Sequence, residues 1–270
     1  MTKVLVHAGF HKTGTTSLQN VLGRNRKVLS PHFTYYGKTD FLQAGAKARM
    51  YGQRRFVWRR IAFRRSFRRF LLTVPADRVI VLSRETFSGA MPGHRDIFGR
   101  TLTDQTETSC QLAQEIVAGL YRRFGRDTEI EFLYTTREHS DWISSVHGHL
   151  LRSIRITENH AEFQHKLAKT PAPATVAQAV AKRIAPVPVH IARLEDYADQ
   201  PEGPAAAIFD LLNVPNATRD LIRTTGPKNV GPSASTRAAL LELNKGNHGK
   251  DQLKELKESM SKRDFRDEQK

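Results

Sequence analysis

An apolar pentapeptide, Val4-Leu5-Val6-His7-Ala8, runs straight into Gly9-Phe10-His11-Lys12-Thr13-Gly14-Thr15-Thr16. A helical pattern with Leu18, Val21 and Leu22 on one face follows. A short apolar run closed by glycine reads as a buried strand, and apolar spacings of three and four read as one face of a helix, here over 15–27. A buried strand that feeds a helix through a tight glycine loop belongs to an α/β architecture rather than a hairpin. The alternation continues along the chain. Strands are predicted at 79–82, 129–134 and 187–192, and helices at 108–124, 140–153 and 204–212. Apolar strands separated by helices predict a P-loop-like, three-layer α/β fold with a central, mostly parallel sheet flanked by helices.

The loop is the most informative stretch. A loop that closes on a helix N-terminus aims backbone N–H groups and the positive end of the helix dipole at one spot, which suits a phosphate. Gly9 and Gly14 allow close approach of the backbone, Thr15 and Thr16 add hydroxyls, and Lys12 adds a point charge. The two glycines have the spacing of a Walker A loop, but Thr15 stands where that motif has its lysine, and Lys12 lies inside the loop. No predicted strand ends in an aspartate suited to hold Mg²⁺. A divergent P-loop kinase or NTPase is therefore the second reading.

The stretch His11-Lys12-Thr13-Gly14-Thr15-Thr16-Ser17-Leu18-Gln19 resembles the 5′-phosphosulfate loop of the sulfotransferase superfamily, nearer its bacterial and Golgi-type branches than the cytosolic animal enzymes. The resemblance implies 3′-phosphoadenosine-5′-phosphosulfate (PAPS) as sulfuryl donor, no metal, and donor binding by His11, Lys12, Thr13, Gly14, Thr15, Thr16 and Ser17. Ser17 stands where the animal enzymes carry a tryptophan that packs on adenine, so the stacking partner is unassigned. Glu131-Phe132-Leu133-Tyr134-Thr135-Thr136-Arg137, with Ser145 eight residues on, is similar to the family's strand-end arginine and serine that grip the 3′-phosphate. Ala192-Arg193-Leu194-Glu195-Asp196-Tyr197 resembles a structural element of the family. Lys228 and Asn229, in a Gly/Pro/Ser loop over 224–236, occupy the position of a loop that closes over the same phosphate. Residues 1–249 are then one sulfotransferase domain, followed by a charged helix or tail over 250–270.

In that reading Lys12 stabilises the leaving group and Glu85, at a strand end, takes the proton of a hydroxyl or amine acceptor. Relatives in the family often place a glutamate at this point. His7, His11, His94, His139 and His147 compete for the role, because imidazole titrates near neutral pH. The acceptor is not identified, with a lipid or a glycan as the named candidates.

The net charge of +16 points to an anionic partner. Nine arginines and no acid fall between Arg49 and Arg69, more than half of that excess. Phe56, Phe63, Phe67 and Phe70 fall on one helical face, so a helix packed on the sheet with arginines directed outward accounts for the stretch. The functional alternatives are contact with an anionic membrane and a groove for an anionic acceptor. No nucleic-acid motif accompanies the arginines, which ranks nucleic acid last. The lone Cys110 excludes an intrachain disulfide and a cysteine metal cluster. The N-terminal apolar run is too short for a signal peptide, so the expected location is cytoplasmic, with the inner membrane face as the peripheral option. A non-catalytic basic protein that binds membranes or polyanions is the remaining rival.

Overall fold

A computed structural model describes residues 1–96, 98–224 and 231–267, the last seven by backbone alone. Five strands, β1 (Lys3–His7), β2 (Thr34–Tyr36), β3 (Val79–Ser83), β4 (Glu129–Thr136) and β5 (Val189–Arg193), form one sheet in the order β2-β3-β1-β4-β5. Every pairing is parallel. The strand alternation shows why the sheet needs cover on both sides. Val4 and Val6 belong to one apolar cluster with Ile80, Leu82, Phe132 and Tyr134, whereas Leu5 belongs to another with Val81 and Leu133. A strand whose two faces are both dry sits between helix layers.

Ten residues, Thr15–Arg24, form α1, which covers the Leu5 face. The helix ends earlier than the apolar spacing predicts. Asn25 folds its side-chain amide back on Val21 O (2.8 Å), also donates to Arg223 O (3.0 Å), and accepts from Arg223 N (2.9 Å). A side chain that competes for backbone groups in this way breaks a helix, and α2 (Arg26–Leu29) is a separate short turn. The opposite face carries α3 (Leu42–Gln53), α4 (Val57–Leu71) and α5 (Thr106–Phe124).

The arginine-rich stretch is helical, with Phe63, Phe67 and Phe70 buried against Phe41 and Phe87. Phe56 departs from the predicted stripe. It precedes the first turn of α4 in extended conformation and stacks on Trp58 at 4.3 Å. Arg60 and Arg64 pair with Glu115 of α5 at 3.3 and 4.0 Å.

Helices α6 (His139–Ser153) and α7 (His160–Lys166) belong to a second compact unit, built from residues 139–170 and 229–270. The first unit continues with α8 (Pro173–Ile184), α9 (Ala206–Leu211) and α10 (Asn216–Arg219). A 3₁₀ turn at Gly203–Ala205 replaces the first turn of the helix predicted over 204–212. The second unit closes with α11 (Ala234–Lys245) and α12 (Lys250–Asp267). Within it Asn244 donates to Leu151 O (3.2 Å), Lys257 to Ile154 O (2.8 Å), and Arg237 to Ser144 Oγ (3.0 Å). Among the described residues no helix is long and apolar enough to cross a membrane.

Candidate anion-binding and proton-transfer site

Parallel pairing brings the carboxyl ends of β3, β1 and β4 side by side, with His7 registered against Ser83 on one flank and Leu133 on the other. Ligands of open α/β sheets bind outside this end. The chain leaves β1 with two further sheet-like bonds, Arg84 N to His7 O (3.0 Å) and Ala8 N to Leu133 O (3.1 Å). It then turns through the glycine loop into α1.

The loop is folded on its own carbonyl. Thr13 and Thr15 both donate their hydroxyls to Phe10 O, at 2.8 and 3.1 Å. Both therefore offer an anion their backbone; for Thr15 this replaces the hydroxyl donor the sequence suggests, and Thr16 is the exposed one. Lys12 has φ 70° and Gly14 φ 84°, both in the left-handed region. A β-carbon on Gly14 would lie 2.7 Å from Leu194 Cδ1, and one on Gly9 2.6 Å from both His7 Nε2 and Thr135 Oγ1. Close approach requires glycine at both positions, and the left-handed conformation requires it at Gly14 as well.

Under the loop the hydrogen bonds have one possible direction. Thr13 gives its proton to a carbonyl, so it accepts from Thr135 Oγ1 (3.0 Å). Thr135 must then accept from His7 Nε2 (3.2 Å), and His7 Nδ1 accepts from Ser83 Oγ (2.7 Å). The bond partners thus assign His7 as the neutral Nε2–H tautomer. Burial agrees: it pushes the imidazole down to about 4, against a smaller upward pull from Glu85. His7 ties the ends of three strands to the loop as a neutral strut, buried and with both ring nitrogens engaged.

Glu85 opens a 3₁₀ turn directly after β3 and is partly buried. Gln19, on the second turn of α1, donates to Glu85 Oε2 (3.3 Å), Ser83 O (3.1 Å) and Ser83 Oγ (3.3 Å). Burial favours the protonated acid, but His11, a backbone N–H, Arg84 and Gln19 together outweigh it and hold Glu85 below the usual carboxylate range. Arg84 is buried, donating to Thr86 Oγ1 (3.1 Å) and Lys38 O (3.2 Å), with Gly45 giving room to its guanidinium. His11 meets Gly89 O at 3.4 Å. Burial lowers its proton affinity, and the charges of Arg49 and Arg84 lower it further against the pull of Glu85. His94 is lowered by burial, then by His11 and Arg49.

Arg137 follows the last residue of β4, half-buried, on the flank of β1 opposite Glu85. Fold topology thus gathers Lys12, Glu85 and Arg137 at one end of three adjacent strands. Ser17 is partly buried in the first turn of α1. Ser145, on α6, belongs to the second unit, as do His139 and His147. Lys228 and Asn229 lie outside the described residues. Sequence reasoning missed Gln19 and Thr135 as parts of the site. Gln19 carried one signal, a polar residue one turn beyond Thr15 beside the buried stripe of α1.

The residues fit a multiply charged anion. No side chain caps the start of α1, and residues 1–39 contain no Asp or Glu, so what surrounds the loop from its own segment is neutral or cationic. Among the described residues no cluster of three His, Cys, Asp or Glu is arranged to hold a metal ion.

No protein-family model and no curated protein matches this sequence. Among solved structures the chain is similar to a sulfotransferase from Alicyclobacillus acidocaldarius, at 18% identity over 88% of this chain and 93% of that one, with a TM-score of 0.42. A likeness that distant assigns neither substrate nor residue roles.

Proposed function

We propose that this protein is a PAPS-dependent sulfotransferase acting on a hydroxyl or amine acceptor. The observation that carries the reading is the acid-free glycine loop on the central strand, flanked by a held carboxylate, Glu85, on one side and an arginine, Arg137, on the other. Bound PAPS supplies the sulfuryl group and, in its bisphosphate, the leaving group. The backbone of Thr13, Gly14, Thr15 and Thr16 and the Lys12 ammonium hold the 5′ end, with His11 and Ser17 beside them. Arg137 takes the 3′-phosphate as a forked, permanently charged donor.

The reaction forms a bond from the acceptor oxygen or nitrogen to sulfur and breaks the bond from sulfur to the phosphate oxygen, whose electron pair leaves with adenosine 3′,5′-bisphosphate. Lys12 neutralises the charge gained by that oxygen. Glu85 accepts the acceptor's proton. Its low proton affinity keeps it ionised at neutral pH, and it suits a proton that is released late, once bonding to sulfur has made the acceptor acidic.

A kinase-type P-loop enzyme would need Mg²⁺ and a lysine after Gly14, where Thr15 stands. Calorimetric titration with adenosine 3′,5′-bisphosphate in EDTA, beside ATP with Mg²⁺, separates the two. Metal-free binding that weakens about tenfold or more in Arg137→Ala supports the proposal. Binding of ATP with Mg²⁺ alone would overturn it. Tight bisphosphate binding without sulfuryl transfer to any hydroxyl or amine acceptor would leave the non-catalytic anion binder.

A further inference from the structure

Projected at 100° per residue, α4 has two opposed faces. Phe63, Phe67 and Phe70 lie on the buried one. Trp58, Ala62, Arg65 and Arg69 lie on the other, and Leu72, the residue that caps the helix, continues that line. Trp58 is 64% exposed and Leu72 76%, and Arg65 and Arg69 between them are exposed. Trp58 rests on Phe56, and with Val57, 65% exposed, the three form an apolar edge at the start of the helix. Phe56 also lines a cleft of about 440 Å³ together with Arg54, Arg55 and the exposed Phe98, and the same cleft carries Asp104 and the Arg100–Asp96 pair (3.1 Å). The arginines that balance acids lie elsewhere on the helix, Arg60 and Arg64 on Glu115. From 41 to 76 the sequence holds no Asp or Glu.

We infer that the outer face of α4 is a docking surface for an anionic lipid bilayer. Aromatic and aliphatic side chains at both ends of a cationic helix face match the headgroup boundary, where apolar tips enter the acyl region and guanidinium groups meet phosphates. A soluble polyanion accounts for the arginines but gives no use to an exposed Val57, Trp58 and Leu72. The surface adjoins the candidate site, because Gly52, at the end of α3 and on the rim of the cleft, packs against the backbone of Gly89, the residue that His11 contacts. A lipid-borne acceptor held at this bilayer would reach the site without crossing water. The docking itself does not depend on the identity of the donor.

The chain supplies its own reporter. It has two tryptophans, and Trp142 is 1% exposed, so a change in emission on binding comes from Trp58. The whole protein is titrated with vesicles of phosphatidylglycerol and phosphatidylcholine at about 0.1 M salt, where charges separated by more than a Debye length of about 10 Å are screened. Expected are co-sedimentation, a blue shift, and quenching by lipids brominated on their acyl chains, with no binding to phosphatidylcholine alone. Trp58→Asp with Leu72→Asp should lower vesicle affinity at least about tenfold, and Arg65→Gln with Arg69→Gln by a similar factor, at roughly fivefold per arginine. Both variants should keep the wild-type melting temperature, since each side chain is exposed. Absence of co-sedimentation overturns the inference. So does co-sedimentation without quenching that heparin competes away, which would assign the face to a soluble polyanion.

Discussion

Acidification should loosen the floor of the candidate site through one residue, and the size of the effect follows from its surroundings. His7 has no exposed surface, and burial pushes it from an ordinary 6.5 down to about 4. In the unfolded chain it takes a proton near 6.5; in the folded chain it resists until about 4. Between those values the unfolded state binds more protons, so stability falls as pH falls, and the contribution is fully present only above 6.5. At 1.36 kcal/mol per pH unit the interval sets a ceiling of about 3 kcal/mol. Between pH 7 and pH 5 the loss due to His7 alone is about 2 kcal/mol.

His7→Gln isolates that amount. A glutamine carbonyl can accept from Ser83 and its amide can donate to Thr135, but it does not titrate. Urea unfolding of both proteins at pH 7 and pH 5, extrapolated linearly, gives four free energies. His11, His94 and His147 are also held low and destabilise both proteins alike on acidification, so they cancel in the double difference. The expected outcome is a loss about 2 kcal/mol smaller in His7→Gln than in wild type. Parallel losses, within about 0.5 kcal/mol, would mean that His7 is not a buried neutral strut, and the assigned direction of the bonds from Ser83 to Phe10 would fall with it.

Glu85→Gln should lower turnover about a hundredfold or more while adenosine 3′,5′-bisphosphate still binds, as measured by steady-state kinetics beside calorimetry; near-normal turnover would remove Glu85 as the base. Gly14→Ala forces a side chain into φ 84° and against Leu194, and should cost about 1–2 kcal/mol, seen as a melting temperature about 2–8 °C lower. An unchanged melting temperature would show that the loop relaxes out of the left-handed conformation.

The parts of the fold that the sequence discloses are those where burial is periodic and local. β1, β3 and β4 are apolar runs of adequate length, and α5 carries its stripe through Leu112, Ile116 and Leu120. The edge strand β2 is three residues, Thr34–Tyr36, with the burial of a single tyrosine to mark it, too short for an alternation to register. Helix α3 buries Ala44, Gly45, Ala48, Tyr51 and Gly52, with Gly45 close to Arg84 and Gly52 to Gly89, so a single tyrosine among small residues is all that marks its inner face. At the site, the loop and the strand-end positions of Glu85 and Arg137 follow from linear order. The contact of Gln19 with Glu85 does not, because it joins residues 66 apart through the pairing of β1 with β3. The inward turn of the Thr13 and Thr15 hydroxyls is likewise a product of the left-handed bend at Lys12, a conformation a lysine does not announce.

The groups that hold Glu85 ionised lead to a last prediction about when that carboxylate becomes a useful base. In the free protein His11, Arg84 and the amide of Gln19 stabilise the ionised form, which makes Glu85 a poor proton acceptor. A bound donor places several negative charges at a loop reached from the same strand ends. Negative charge near a carboxylate favours its protonated form, and it also occupies the field of the cations that had held the acid down. Donor binding should therefore raise the proton affinity of Glu85 and so improve it as a base only in the loaded state. The acid limb of kcat/KM for the donor reports the free protein, and that of kcat reports the ternary complex. The kcat limb should lie at higher pH than the kcat/KM limb, and both should vanish in Glu85→Gln. Coincident limbs would show that the donor's charge does not reach Glu85, and limbs that persist in Glu85→Gln would place the proton acceptor elsewhere.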